Sequence, residues 1–427
     1  MKRTIALLTA LLLAVSLSAC NGGKNEPAET SALATPAPTV TPMIDRVTRT
    51  DWPAYFAPGL ETVGVQPAES YRIGMIAGGA FKDTALRMAL DDMVLQYADS
   101  YGVEIDVQPY NSPAGQLGAV QNYIDAGFDL IIIAADSDRT ELGALCSEHD
   151  MPYITMDCRA GTPGQGSYIC SMERDDYLIG ILTGLSIADT LTQRHGEPRG
   201  NIGEITGAVS DEVSILRSAG LRRALAAYPD IQVVCSITTE GDTAYHAAVN
   251  VMKAYHTGAL DGIAVLDDTA ALETLQAVLN YDRSDLLGSI WSVGGTKDGL
   301  TGVWYGQLAQ TVEITQQTGM MAIEYALQYL NGSAGNIPPI VCSMTRSFSA
   351  NTQQQKDGVA AVIAQMDELG ISYCMDNTGD YALFAPDERI AQIYPKHYYE
   401  YDDVAAFVAE YGPFTTEEAV YSALAAG

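Results

Sequence analysis

At regular intervals in this chain of 427 residues, a short apolar run ends in carboxylates, hydroxyls or a cation. Asp136-Ser137-Asp138 follows the run 130–134, Asp157-Cys158-Arg159 follows 153–156, and Asp267-Asp268-Thr269 follows 262–266. Gly78-Gly79-Ala80-Phe81-Lys82 follows 72–77, Thr206 closes another run, and Gly294-Gly295-Thr296-Lys297 follows 290–293. Such groups suit a carbohydrate. Carboxylates and guanidiniums make paired hydrogen bonds to vicinal hydroxyls, and an aromatic face such as Phe81 packs on sugar C–H groups. Each residue also has a plainer reading, because Asp, Ser and Thr commonly cap the helix after a strand. That reading weighs equally for Asp136, Asp138 and Asp268, whereas Asp157 and Asp267 read as ligand groups.

The elements that must hold these residues follow from periodicity. Runs 72–77, 103–109, 130–134 and 153–156 read as strands, separated by helices over 84–101, 113–126 and 140–148, the alternation of β-α units on a parallel sheet. A second series begins near Ser167, with helices over 176–191, 215–228, 243–255 and 270–279 and strands over 201–205, 233–237, 262–266 and 290–293. A strand over 308–314 and a helix over 319–330 then fit either half. The expected class is α/β, with two Rossmann-like lobes of parallel sheet joined by a hinge, plus a C-terminal extension. Residues 71–166 form the N-terminal lobe, to which about 306–340 can return, and 167–305 form the C-terminal lobe. Residues 341–427 either complete the second lobe or form an appendage; helices are expected over 356–369 and 402–411, and Thr415 with Glu418 makes a capping box. The block Tyr394, Tyr398, Tyr399 and Tyr401 reads as a packing seam in preference to a recognition surface, and Trp291 and Trp304 read as core. In open parallel sheets ligands bind beyond the carboxyl ends of the strands, where all the polar clusters above fall.

The N-terminus carries an address. Lys2 and Arg3 precede an apolar stretch over 5–17 too short to span a bilayer, and Leu17-Ser18-Ala19-Cys20 closes it. This resembles a bacterial lipoprotein signal over residues 1–19, which implies cleavage before Cys20, acylation of its thiol and an extracytoplasmic, membrane-anchored protein. Residues 20–70, rich in Ala, Thr, Pro and Glu, read as anchor and flexible tether. Acidic residues outnumber basic ones 53 to 23 for a formal charge of −30, a field that repels nucleic acid. Besides Cys20 there are Cys146, Cys158, Cys170, Cys235, Cys342 and Cys374, none in a C-x-x-C pair; export permits disulfides, and spacing leaves their pairing open.

Over roughly 71–332 the chain resembles the type I periplasmic binding proteins of the ribose and galactose group, which deliver sugars to ABC importers. Tyr153-Ile154-Thr155-Met156-Asp157 is similar to that family's strand ending in a ligand-binding Asp, although Cys158 separates Asp157 from Arg159 where the family has Asp-Arg. Asp175-Asp176-Tyr177 with Gly180 and Gly184 matches the helix after the first lobe crossing. Arg217-Ser218-Ala219-Gly220-Leu221 resembles the Arg-x-x-Gly-Phe helix whose Arg binds ligand, and Asp267 falls on the family's ligand-binding Asn. Two positions depart: Val293-Gly294-Gly295-Thr296 stands where the family has Val-Gly-Phe-Asp, and the nearest residues to its strand-end Gln are Glu313 and Ile314. The resemblance together with the strand-end positions of Asp136 and Thr296 gives a ligand set of Phe81, Lys82, Asp136, Asp157, Arg159, Arg217, Asp267 and Thr296, with no cofactor and no metal. It implies as partners a small-molecule ligand, most often a sugar, and a transporter permease. A sensor of the same fold reporting to a membrane kinase or chemoreceptor is the alternative. An exported glycoside-acting enzyme fits less well, since the sequence contains no Gly-x-Ser-x-Gly, Walker A, Gly-x-Gly-x-x-Gly or His-Glu-x-x-His motif. Its five histidines, His149, His195, His246, His256 and His397, are scattered.

Overall fold

A computed structural model describes residues 67–77, 103–109, 112–134, 139–156, 163–208, 212–314, 318–332, 337, 339–342, 345–369, 372, 374, 384, 388–397 and 404–411. The helix read over 84–101, Cys20 with its signal, the tether up to residue 66, Tyr398, Tyr399 and Tyr401, and the capping box at Thr415 lie outside those residues.

Apolar runs followed by turn and capping residues build the same unit twice. The first series comprises β1 (Arg72–Ala77), β2 (Glu104–Pro109), α1 (Pro113–Asp125), β3 (Leu130–Ala134), α2 (Arg139–Glu148), β4 (Tyr153–Met156) and β5 (Tyr168–Glu173). Then come α3 (Asp176–His195), β6 (Gly200–Thr206), α4 (Glu212–Leu225), β7 (Ile231–Thr238), α5 (Ala244–Ala254), β8 (Gly262–Val265), α6 (Asp268–Asn280), β9 (Ile290–Gly294), α7 (Lys297–Trp304) and β10 (Gln310–Glu313). The tail of the fold is α8 (Thr318–Leu330), β11 (Ile340–Cys342), β12 (Ser347–Ser349), α9 (Gln353–Leu369), α10 (Ile390–Ile393) and α11 (Val404–Tyr411).

The strands form two sheets, β11-β5-β4-β3-β1-β2 and β12-β10-β9-β8-β6-β7. Among the described residues every pairing is parallel except β10 with β12. Apart from the edge strands β11 and β12, both sheets run in the same relative order, the second strand of each series outside the first and the rest following on the other side. In this doubly wound order the crevice lies beyond the carboxyl ends, where the winding reverses between β1 and β3 and between β6 and β8. Central strands are buried on both faces, as Leu130-Ile131-Ile132-Ile133-Ala134 shows, which is why they read as unbroken apolar runs.

Alternation along β8 divides the second core. Ala264 and Leu266 point into a cluster with α3, α4 and Trp291, while Ile263 and Val265 point into one with α5, α6, α7 and α9. Trp291 is fully buried and Trp304 half-buried. Of the cysteines, Cys146, Cys170 and Cys235 are buried and unbridged; burial pushes the first two thiols up to about 12 and the third to about 11.

The boundary read at Ser167 needs correction. Tyr168–Glu173 is a strand, and it pairs with β4 in the first sheet, so the passage to the second sheet comes after it, at Arg174-Asp175. Ser171 and Glu173 break the apolar run, which hides the strand in the sequence, yet all six residues of β5 are buried. The chain passes back to the first sheet after β10, where α8 packs on β4 and β5 and β11 joins β5, and returns to the second sheet with β12.

Candidate ligand site at the carboxyl edge of the second sheet

Two helices must approach closely to place the cation of this edge. Gly180 on α3 and Gly220 on α4 let the backbones touch: a Cβ at Gly180 would fall 2.0 Å from the Arg217 carbonyl oxygen, and one at Gly220 would fall 2.0 Å from that of Tyr177. The crossing brings Arg217, on the second turn of α4, against the first turn of α3. Arg217 is 6% exposed; its Nε donates to Asp176 Oδ1 at 2.8 Å and its Nη1 to the Leu266 carbonyl, at the end of β8, at 2.8 Å. Its Nη2 has no hydrogen-bond partner among the described residues. Arg174 Nε lies 3.1 Å from Asp176 Oδ2, so one buried carboxylate sits between two guanidiniums. Burial pushes the Asp176 carboxyl up, but Arg174 and Arg217 together outweigh it and hold the group below its ordinary value.

The next strand ends carry a second buried carboxylate with a different environment. Asp268 accepts at Oδ1 from Ser292 Oγ (2.6 Å) and Thr311 Oγ1 (2.7 Å), and at Oδ2 from the Thr296 backbone N–H (2.9 Å) and Thr296 Oγ1 (2.8 Å). The middle of β9, the first part of β10 and the start of α7 are thereby tied to α6. Gly294 and Gly299 make room for it, since a Cβ at either would fall within 2.6 Å of its Oδ2. Burial pushes this carboxyl above its ordinary value against the pull of the four donors. Beside it Asp267 is exposed and caps α6, accepting from the Ala270 N–H at 2.9 Å. Thr296 caps α7 by accepting from the Gly299 N–H at 3.0 Å.

At the end of β10, Glu313 and Arg346 form a fully buried ion pair with oxygen to nitrogen distances of 2.6 and 2.9 Å. Glu313 is thus committed to β12 and its neighbourhood, where the resemblance placed a ligand-binding Gln. At the end of β6, Thr206 Oγ1 is buried without a hydrogen-bond partner among the described residues.

Of the eight residues expected to bind ligand, Phe81, Lys82, Asp136, Asp157 and Arg159 lie outside the described residues. The other three share the carboxyl edge of the second sheet, in different states. Arg217 keeps a nitrogen available, Asp267 is exposed with one oxygen used as a cap, and Thr296 is held by Asp268 and its own helix. Sequence reasoning missed Asp176 and Arg174 as the setting of Arg217, and Arg346 as the partner of Glu313; no spacing rule links residues that far apart. A cavity of about 440 Å³ lies along α3 and β12, with Ser186, Asp189, Ser347, Ser349 and Gln355 in its walls. Ser349 pairs with Gln310 at the start of β10, which puts this cavity toward the amino ends of the strands, away from Arg217.

Residues 79–334 match the family model described as a periplasmic binding protein domain. The chain belongs to that family. Among curated proteins, the xylitol-binding protein of Mycolicibacterium smegmatis is 27% identical over 222 residues; the match spans 50% of this chain and 60% of that protein, less than two thirds of its length. The periplasmic binding protein component of the arabinose ABC transporter from Shewanella sp. ANA-3, solved with α- and β-L-arabinofuranose, is 20% identical. It superposes with a TM-score of 0.58 over 70% of this chain and 96% of its own. A Mycobacterium smegmatis protein solved with β-D-fucofuranose gives 21% identity, a TM-score of 0.57 and coverage of 70% and 97%. A periplasmic solute-binding protein from Actinobacillus succinogenes solved with D-allose gives 19%, 0.56, and 67% and 100%. At these identities the solved structures establish the fold, that of a type I periplasmic binding protein, and the two doubly wound sheets are its two lobes. Family proteins of this fold are extracytoplasmic.

Proposed function

We propose that this periplasmic binding protein is a lipid-anchored solute-binding protein that captures a sugar or polyol between its lobes and delivers it to an ABC importer. The observation that carries the reading is Arg217: a nearly buried guanidinium at the carboxyl edge of the second sheet, oriented by Asp176 and Leu266, with Nη2 left for a guest. Holding a cation this way costs desolvation, which the two acceptors offset, and leaves a preorganised donor for a hydroxyl pair. Asp267 adds an exposed carboxylate beside it. The facing half of the site is assigned to Phe81, Lys82, Asp136, Asp157 and Arg159, which follow β1, β3 and β4 in sequence as the second-lobe groups follow their own strands. Xylitol, arabinofuranose, fucofuranose and allose, the compounds named with its relatives, support polyhydroxyl compounds as the class.

No covalent step is needed. A guest that touches both lobes binds the closed arrangement better than the open one and shifts the population by that difference. Cleavage before Cys20 and acylation would keep the protein at the membrane beside the permease, with 21–70 as tether.

Thermal unfolding with xylitol, L-arabinose, D-fucose and D-allose tests the reading. A true ligand at a hundred times its Kd adds about 2.7 kcal/mol to stability, and Arg217→Ala should weaken its binding by about 1–3 kcal/mol, roughly five- to 150-fold. A flat response to the whole panel, or wild-type affinity in Arg217→Ala, sinks it. Metabolic labelling with palmitate, lost in Cys20→Ser, tests the anchor.

A further inference from the structure

The part of the chain least explained by a two-lobed binding protein is its C-terminal stretch, and it packs on the passage between the lobes. Tyr394 and Phe407 are fully buried in the same cluster as Tyr177 on the first turn of α3. The Tyr177 ring centroid lies 5.0 Å from that of Tyr394, 5.5 Å from Phe407 and 5.7 Å from Tyr411. Farther along, Arg389 grips Asp189 through two nitrogens at 3.0 and 2.7 Å and reaches the Tyr228 hydroxyl at 2.8 Å. Those contacts anchor the stretch to α3 and α4.

One further contact is polar and costly. His397 and Asp175 are each 1% exposed, with His397 Nδ1 3.2 Å from Asp175 Oδ2. Because a carboxylate only accepts, that ring nitrogen carries the proton. The Tyr394 hydroxyl donates to Asp175 Oδ1 at 3.4 Å, an oxygen that also accepts the Leu178 N–H at 2.8 Å and so caps α3. An aromatic seam would bury this surface without any polar pair, and burying one lowers stability unless its geometry is good. Asp175 is the residue before Asp176, and it lies in the passage from β5 to α3. Its neighbour's carboxylate is the one that orients Arg217.

Resting on the reading of Arg217 as a ligand-binding group, we propose that His397 and Tyr394 are positioning residues of the ligand site. By holding Asp175 they fix the first turn of α3, and through it the Asp176 carboxylate and the direction of the Arg217 guanidinium. The C-terminal stretch is in this sense part of the binding unit.

Three variants of the full chain separate this role from mere stability, with titration calorimetry against xylitol, L-arabinose and D-allose as probes. His397→Ala removes the donor, His397→Asn returns an N–H near the Nδ1 position, and Arg389→Ala loosens the same stretch at a point remote from Asp175. The expected result is at least a fivefold loss of affinity in His397→Ala, recovery to within about twofold in His397→Asn, and no more than a twofold change in Arg389→Ala. Tyr394→Phe, which deletes only the hydroxyl, should lose less than His397→Ala. A readout that needs no ligand accompanies them: the Arg217 Nε–H proton, protected from exchange in the wild type, should lose protection in His397→Ala and keep it in Arg389→Ala. Unchanged protection and affinity in His397→Ala overturn the proposal, as do parallel losses in Arg389→Ala, which would make affinity follow the stability of the segment. A wild type that binds none of the probes instead overturns the ligand reading, while the exchange measurement still decides whether His397 positions Arg217.

Discussion

Asp268 collects four donors from neutral partners, and its chemistry follows from that inventory. Oδ2 faces the Thr296 backbone N–H, which can only donate, and Oδ1 faces Thr311 Oγ1, which already accepts the Gly295 N–H, so an amide in its place loses a hydrogen bond whichever way its NH2 turns. Asp268→Asn should therefore destabilise the fold by about 1–3 kcal/mol at neutral pH. The raised carboxyl value sets the sign of the pH dependence. A native state that holds a proton more tightly than the unfolded chain gains stability as pH falls from above the raised value to the ordinary one. A route for that proton exists, because Ser292 Oγ lies within hydrogen-bond reach of both Asp268 Oδ1 and the Gln310 carbonyl. It can accept from a protonated Asp268 and donate onward. The deficit of Asp268→Asn relative to wild type should therefore widen on acidification toward the ordinary carboxylate range. Urea unfolding at several pH values measures it, and a deficit that narrows contradicts the assignment. Asp176 has the opposite sign: its stabilisation is present above the ordinary value and lost as pH falls through the depressed one. The doublet Asp267-Asp268 was visible in the sequence as polar groups at a strand end. The division of labour between them was not, because it depends on Ser292 and Thr311, which only the sheet brings near. The cap fell to Asp267 because its side chain reaches the N–H three residues on, at Ala270.

At the scale of elements, the α3–α4 crossing positions the guanidinium, and its glycines are the sensitive points. Gly180→Ala puts a methyl group into the Arg217 carbonyl and within 2.8 Å of the Leu221 nitrogen, both backbone atoms that cannot rotate away. The helices must separate, so the substitution should cost at least the roughly 1–3 kcal/mol of an overpacked core and weaken ligand binding as well. Gly118 on α1 supplies the control. It is exposed with nothing within 4 Å of an added Cβ, and Gly118→Ala should stabilise by about 0.5–1 kcal/mol. Denaturant midpoints that move the same way for both would contradict the packing argument. Long periodic elements were legible in the sequence: α3 begins with Asp175 as its cap and ends at Gly196 in the left-handed region at φ 77. Short ones were not. β11 and β12 have three residues each, too few for a period, and exist because β5 and β10 offer them an edge. The helix α7 carries Gly299, Thr301 and Gly302, poor helix formers, and forms because Thr296 caps it and Leu300 and Val303 enter the core.

The whole molecule is a βα pattern used twice, and that repetition was readable because each unit is local. The passages between sheets were less so: polar Ser171 and Glu173 hide β5, and β11 finds its place only against β5, far earlier in the chain. One property at this scale does follow from composition. With 53 acidic and 23 basic residues the chain carries a formal −30, and self-repulsion of that field opposes the compact state. Exposed ion pairs such as Arg72–Glu104 and Arg199–Glu197 pull the other way, but each is worth at most about 1 kcal/mol and salt weakens them too. The buried pairs, Glu313–Arg346 and Arg217–Asp176, are screened little at any ionic strength. Between about 0.01 and 0.15 M salt the screening length falls from about 30 Å to about 8 Å, which removes long-range repulsion while leaving the buried pairs intact. Repulsion is the larger of the screened terms, so the melting temperature should rise over that interval, by roughly 1–2 °C for each 1 kcal/mol recovered in a chain of this size. Sodium chloride and tetramethylammonium chloride should act alike, because the effect is screening and requires no bound ion. A melting temperature that falls with either salt would mean that surface ion pairs, against the balance of charge, hold this acidic protein together.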